Sequence, residues 1–386
     1  MRKHRWLIAG LTLMLGCAPT PFDLQLTDHE TPSRHTVFRL DWRTSVAPPT
    51  VSDPPINLQQ SRWAPLELST PVVVARKTGD RSEVVVGGSN GVLKAFTARG
   101  KLIWAFAGHG PMSSPGAADG RIFVGTGEGH LYAIGAEDGT LIWEYEAGEE
   151  LGSLPVIKDG IVYLTSHSDT LLALDAATGK WLWHYRRDAS SHEFSVRGVN
   201  TPLLVKDLVV CGFSDGSTVA LHQKDGAVVW QHVTSGNGQI QDADGSAQSD
   251  GERVFVANYK DGLSALALGD GRILWQHAFP TATQLQLGRG ALFASAVGKV
   301  AAFSPYDGSL LWEKGIGTAS ATGLATFPGL LMVATDGPLF FLDARAGRPL
   351  GSSFNPGRGI SAAPLAVGRD LYVLSNDGWL YAMHLL

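Results

Sequence analysis

The chain has 386 residues, 44% hydrophobic and 17% charged, with 46 Gly, 20 Pro and 11 Trp. A formal net charge of −5 without a clustered basic surface argues against nucleic acid as a partner, because holding the phosphate backbone needs concentrated positive charge. Abundant Gly and Trp with modest charge instead fit many short strands joined by tight turns, and a closed repeat of such strands can hold this length in one domain.

Residues 1–16 read as an export signal. Arg2, Lys3 and Arg5 form a basic head, and Trp6 to Leu15 is an apolar run too short to span a bilayer. The run ends in Met14-Leu15-Gly16-Cys17, which resembles the lipobox of bacterial lipoproteins. That resemblance implies cleavage before Cys17 and lipid on its thiol. Ala18 in the next position implies, by the same resemblance, delivery to the outer membrane. Losing the signal removes three basic residues and takes the net charge to −8. Residues 17–40 are polar with three prolines and read as a tether to a body spanning 41–386. With Cys17 acylated, Cys211 has no disulfide partner, and its apolar run Leu208-Val-Val-Cys-Gly212 makes it a small core residue.

The body repeats. Strands ending in Trp recur at Trp42, Trp104, Trp143, Trp183, Trp230, Trp275 and Trp312, and Leu350 takes that place in a degraded copy. From Trp104 onward the intervals are 39, 40, 47, 45, 37 and 38 residues, the period of four-stranded propeller blades. The best-formed unit is Ala173-Leu-Asp-Ala-Ala-Thr-Gly-Lys-Trp-Leu-Trp183. It reads as a β-hairpin in which Asp175 accepts hydrogen bonds from nearby backbone N–H groups and Gly179 supplies a positive φ. Each Trp then packs between blades.

A preceding landmark marks the third strands, from Gly91-Val-Leu-Lys-Ala95 to Gly378-Trp-Leu-Tyr-Ala382, eight in all. Their alternation predicts apolar residues facing inward and polar ones outward. Eight third strands need eight fourth strands, yet few residues follow the last one. Asp41-Trp42-Arg43 is a fourth strand with no blade before it, so pairing it with 378–383 closes the ring and removes both open edges. The expectation is an all-β, eight-bladed propeller of four-stranded blades, closed by its two ends.

The Ala-x-Asp-x-x-Thr-Gly-x-x-x-Trp unit resembles the tryptophan-docking motif of PQQ-type propellers. Two functions compete on that fold, a quinoprotein dehydrogenase and a non-enzymatic binding platform. The dehydrogenases resembling it hold PQQ and Ca²⁺ beside an Asp base, many with a vicinal Cys pair. This sequence has no Cys pair and no calcium loop of alternating acids, so no cofactor, metal or small-molecule substrate is expected. His167, His184 and His192 lack metal-ligand spacing.

Departures from the period are more informative. From each Trp to the residue opening the next second strand the distances are 15, 16, 24 and 20, ending at Asp119, Asp159, Asp207 and Asp250. Two consecutive blade-to-blade connections are therefore long and should be neighbours on one rim, where binding function concentrates. They carry Phe194-Ser-Val196-Arg197 and Asp242-Ala-Asp244. Two readings are open. Phe194, Val196 and Arg197 beside the two carboxylates have the composition of a protein-binding hot spot. Alternatively, Phe194 and Val196 cover the rim and Arg197 pairs internally with Asp242 or Asp244.

The tract from Gly148 to Trp230, with Phe194-Ser-Val-Arg-Gly198, Thr201-Pro202 and Asp242-Ala-Asp244, resembles the BamB family of outer-membrane β-barrel assembly (BAM) lipoproteins. The lipobox, eight repeats and end-to-end closure extend the likeness over the mature chain, while a Pro-rich insertion between Val46 and Trp63 departs from it. The resemblance implies a non-catalytic scaffold, anchored in the outer membrane and facing the periplasm, that binds a POTRA domain of BamA and assists insertion of β-barrel proteins. It implies Phe194, Val196 and Arg197 as apolar and cationic contacts, and Asp242 and Asp244 as acidic ones. The alternatives are a PQQ-like propeller lipoprotein with another envelope partner and, third, a quinoprotein dehydrogenase.

Overall fold

Short apolar runs separated by turn residues, often Asp-Gly or Asn-Gly, fold as hairpins, and most of the described strands pair with a sequence neighbour in this way. The computed structural model describes residues 37–46, 67–75, 82–187, 200–233, 246–258 and 261–386. The first strand, β1 (Phe38–Ser45), stands apart from its sequence neighbours; it includes Phe38 to Leu40, which the sequence reading leaves to the tether. Blade 1 is β2 (Val72–Ala75), β3 (Ser82–Gly87), β4 (Val92–Thr97) and β5 (Leu102–Ala107). Blade 2 is β6 (Gly116–Ala118), β7 (Arg121–Gly125), β8 (His130–Gly135) and β9 (Leu141–Glu146). Blade 3 is β10 (Val156–Lys158), β11 (Ile161–Thr165), β12 (Thr170–Asp175) and β13 (Trp181–Arg186). Blade 4 is β14 (Leu203–Val205), β15 (Leu208–Gly212), β16 (Ser217–His222) and β17 (Val228–Val233). Blade 5 is β18 (Gln248–Ser249), β19 (Arg253–Asn258), β20 (Gly262–Ala267) and β21 (Ile273–His277). Blade 6 is β22 (Gln284–Leu287), β23 (Leu292–Ala296), β24 (Lys299–Phe303) and β25 (Leu310–Gly315). Blade 7 is β26 (Ala321–Phe327), β27 (Leu330–Thr335) and β28 (Phe340–Asp343). Blade 8 is β29 (Leu365–Val367), β30 (Asp370–Leu374) and β31 (Trp379–Leu385), completed by β1.

The expected closure is present. β1 pairs antiparallel with β31 from Phe38↔Leu385 to Ser45↔Trp379, so the chain's two ends share blade 8. Buried apolar residues fall into eight clusters, one per joint between consecutive blades, and the cluster of Val84, Val86 and Phe96 with Tyr372, Leu374 and Leu380 joins blade 8 back to blade 1. The core is thus eight seams around a ring, as an eight-bladed propeller requires.

Each ordinary seam is built by one Trp. Its indole N–H donates to a carbonyl in the third-to-fourth-strand turn of the next blade: Trp42 to Ala98 (2.8 Å), Trp104 to Ala136 (2.9 Å), Trp143 to Ala176 (3.1 Å), Trp183 to Gln223 (3.1 Å), Trp230 to Leu268 (2.7 Å), Trp275 to Pro305 (3.1 Å) and Trp312 to Ala344 (3.1 Å). The ring lies against that turn's glycine. Gly179 has φ 70° and seats Trp143 so closely that a Cβ would lie 2.7 Å from the indole. The turn Gly therefore has two duties, the left-handed backbone and the seat, and only the first was legible. Asp175 behaves as expected, accepting from Thr178 N (2.8 Å) and Thr178 Oγ1 (2.6 Å). Those bonds, the hydroxyl's first, hold its carboxyl below the usual carboxylate range.

Across the third-to-fourth-strand ladder each Trp faces an Ala: Ala95↔Trp104, Ala133↔Trp143, Ala173↔Trp183, Ala220↔Trp230, Ala265↔Trp275, Ala302↔Trp312 and Ala382↔Trp42. Ala leaves room for the indole on the shared face. Burying each ring contributes on the order of 2 to 3 kcal/mol.

Two expectations need correction. Third strands do not alternate: Thr170 to Leu174 are all buried, as are Ser217 to Leu221, because a blade packs on both faces. The alternation appears in the fourth strands instead, where Trp183 is buried while Trp181, Leu182 and His184 are exposed. Blade 7 is also not four-stranded. Its fourth edge consists of two isolated bridges, Leu342↔Pro349 and Leu339↔Phe354, interrupted around Gly351. Cys211 is buried and unpaired as expected, and burial pushes its thiol pKa up.

Candidate partner-binding rim

Because strands alternate direction within a blade, every connection from a fourth strand to the next first strand leaves on the same rim. These connections run 108–115, 147–155, 187–202, 234–247, 278–283 and 316–320, with 355–364 leading from the last bridge of blade 7 to blade 8 and 46–71 joining blade 8 to blade 1. The lengths confirm that the third and fourth are enlarged. They also place the Pro-rich insertion in an equivalent connection, since 46–71 runs from β1 to β2.

The roots of the two enlarged connections are well defined. At the end of the first, Thr201 N donates to Ser246 Oγ at the end of the second (3.3 Å). Thr70 N makes the same contact with Ser114 Oγ (2.8 Å) between blades 1 and 2, so the long connections are rooted on an undisturbed ring. Thr165 Oγ1 also donates to Asn200 O. At the start of the first connection, the Arg187 guanidinium grips Asp215 of the neighbouring blade through Nε (2.7 Å) and Nη2 (2.6 Å). Ser217 N donates to the same carboxylate (2.9 Å). Burial pushes the Asp215 carboxyl up, but the bonds from Ser217 and Arg187 outweigh it and hold it below its ordinary range. Asp169 accepts from Ser214 N (3.1 Å) and Oγ, tying the adjacent loops of blades 3 and 4. Two guanidinium nitrogens converge on Asp215 Oδ2 while Ser217 N takes Oδ1, so the connection departs from a base braced on both carboxylate oxygens.

Phe194, Val196, Arg197, Asp242 and Asp244 lie outside the described residues, as does Cys17. What is described is the frame that carries them: consecutive connections on one rim, hydrogen-bonded to each other at their roots through the equivalent positions Thr201 and Ser246. Arg187, Asp215 and Ser246 were missed. Aligning the repeats would have exposed the hydroxyl position shared by Thr70, Ser114, Thr201 and Ser246.

The same rim surrounds a central recess of about 800 Å³, lined by first-strand heads such as Thr70, Ser114, Thr201, Ser246 and Thr322. The titratable groups among its described lining residues are Glu150 and His167, which face each other at 3.4 Å. Two groups able to hold a cation lie among the described residues of the outer strands: Asp41 with Asp370 and His384, and His130 with Glu144 and Glu146.

The class defined by these features is an eight-bladed PQQ-repeat propeller with enlarged connections on one rim. The family model described as outer membrane protein assembly factor BamB matches residues 89–295 and 296–385, so the chain belongs to that family. Outer membrane protein assembly factor BamB of Yersinia pestis is 24% identical over 323 residues, covering 78% of this chain and 82% of the relative. The crystal structure of BamB from Moraxella catarrhalis superposes with a TM-score of 0.75 at 21% identity, over 90% of this chain and 100% of that one. Quinohemoprotein alcohol dehydrogenase from Comamonas testosteroni shares the fold too, with a TM-score of 0.72 at 13% identity, over 90% of this chain and 76% of that one.

Proposed function

We propose that this chain is a non-catalytic scaffold of the outer-membrane β-barrel assembly machinery, anchored by lipid on Cys17, facing the periplasm and binding a POTRA domain of BamA. The observation that carries the reading is family membership over residues 89–385, joined to two enlarged connections whose roots meet at Thr201 and Ser246. In this reading Phe194 and Val196 provide the apolar anchors, Arg197 the cation, and Asp242 and Asp244 the acidic contacts. A rigid ring presenting two adjacent loops suits binding, because ordering entropy at the roots is already spent.

The test is recovery of BamA from solubilised envelopes by wild type, Arg197→Ala and Asp242→Ala. Each substitution should weaken capture by roughly 2 kcal/mol or more. Equal recovery by all three refutes the assigned surface. The dehydrogenase reading draws on the shared propeller fold alone. Reconstitution with PQQ and Ca²⁺ decides it: a quinone spectrum with dye-linked alcohol oxidation would overturn the scaffold reading.

A further inference from the structure

One position in the repeat takes a different solution in blade 2 from that in blade 6. At the head of the third strand, Lys299 of blade 6 reaches across to Glu313 of the fourth strand, the residue after its Trp, and the pair closes at 3.0 Å. Charge there is balanced, and the next outward-facing position is Gly315. In blade 2 the equivalent residues are His130 and Glu144, with Nδ1 and Oε1 2.7 Å apart, and the glycine is replaced by Glu146, directly opposite His130 in the ladder. Two carboxylates thus face one imidazole. No Lys or Arg contacts Glu144 or Glu146 among the described residues, and the three ligand atoms lie within 4.8 Å of one another.

A second imidazole comes from another element. His109, in the connection entering blade 2, lies with its ring 4.9 Å from that of His130. Buried Tyr132 positions both: its hydroxyl accepts from His109 N (3.2 Å), and its ring stacks parallel to His130 at 5.9 Å. One imidazole and two carboxylates converge across a strand pair, with a further imidazole stacked beside the first, and this donor set suits a borderline divalent ion; imidazole ligation is not what a calcium site uses. The other candidate group lacks this balance, since Arg39 already neutralises Asp41 at 2.9 Å.

We propose that His130, Glu144 and Glu146 bind a divalent transition-metal ion such as Zn²⁺ at the rim end of blade 2, with a further coordination position left open. The ion would cross-link the third and fourth strands of that blade. His130 Nδ1 is then a ligand atom, and its approach to Glu144 is the contact of two donors prepared for a shared cation.

The experiment is competition of the untagged full-length protein with a chromophoric chelator for Zn²⁺, with denaturation midpoints of each metal-free variant as the control for folding. One equivalent should bind. His130→Gln should weaken it by more than the about tenfold that losing even an outer partner of a metal site causes; Glu146→Gln should weaken it, and His384→Gln should leave it unchanged. Absence of saturable binding, unchanged affinity in His130→Gln, or loss confined to His384→Gln would each overturn the proposal.

Discussion

Seven joints of the ring set a Trp against an Ala; the joint between blades 7 and 8 sets Leu350 against Phe341. Leu350 N donates to Phe341 O (2.8 Å), next to the bridge Leu342↔Pro349 that corresponds to Phe303↔Leu310 of blade 6. The cause lies one blade further on. A docking Trp needs the third-to-fourth-strand turn of the next blade, and in blade 8 that turn does not exist, because β31 and β1 are the two ends of the chain. With no glycine seat, the large ring moves to the third strand. Phe341 stacks on Phe38 at 5.1 Å, and Phe354 packs edge-on against both Phe38 (5.8 Å) and Tyr381 (5.0 Å). Volume is conserved across the seam while its owner changes, which is how cores tolerate substitution. The degraded repeat is therefore the form a blade takes beside a closure.

The largest test compares the two kinds of joint directly. Trp183→Ala and Phe341→Ala should each lower unfolding free energy by about 3 to 5 kcal/mol in denaturant titrations; a far smaller loss for Phe341 would mean the closing joint is not held by its aromatic cluster. Gly179→Val should follow at about 3 kcal/mol, because its side chain meets the Trp143 indole and its φ is left-handed. Leu350→Trp should destabilise by about 1 to 3 kcal/mol, since it overpacks against Phe341 without finding a seat. A stabilised Leu350→Trp protein would break the comparison, whereas partial recovery in the double variant with Phe341→Ala would sharpen it.

The smallest effect concerns the polar brace on a Trp joint. Asp215→Asn should cost roughly 1 to 2 kcal/mol near neutral pH. Because the folded carboxyl titrates below its ordinary value, its stabilisation is complete above about pH 4 and lost as pH falls through the lower folded value. Wild type and variant should converge as the medium is acidified from pH 5 to about 2. A gap that stays constant would show that the Arg187 contact owes nothing to charge.

Period, blade count and closure were legible because each rests on local chemistry: Asp175 and Gly179 shape a turn within a few residues, and Trp is conspicuous at any spacing. The third-strand error arose where burial depends on both neighbouring blades, as at Ser217 and Thr218, which are polar yet enclosed. Glycine seats escaped because Gly179 and Trp143 meet only through the joint. For the candidate site, the sequence located the enlarged connections, and the structure describes their roots; Arg187 and Asp215 could not be paired on paper, since they belong to different blades and to no repeated motif.

The pairing of β1 with β31 has a consequence in time. Phe38 and Leu385 are joined across nearly the whole chain, so this contact carries the greatest loop-closure entropy of any in the fold. A chain delivered from its amino end presents β1 first and completes it last. Until residues near 385 arrive, β1 lacks its strand partner and blade 1 lacks the apolar face of blade 8, so both are exposed to other chains nearby. The ring is thus most vulnerable just before it shuts, and chaperone demand should be set by the arrival of its last strand.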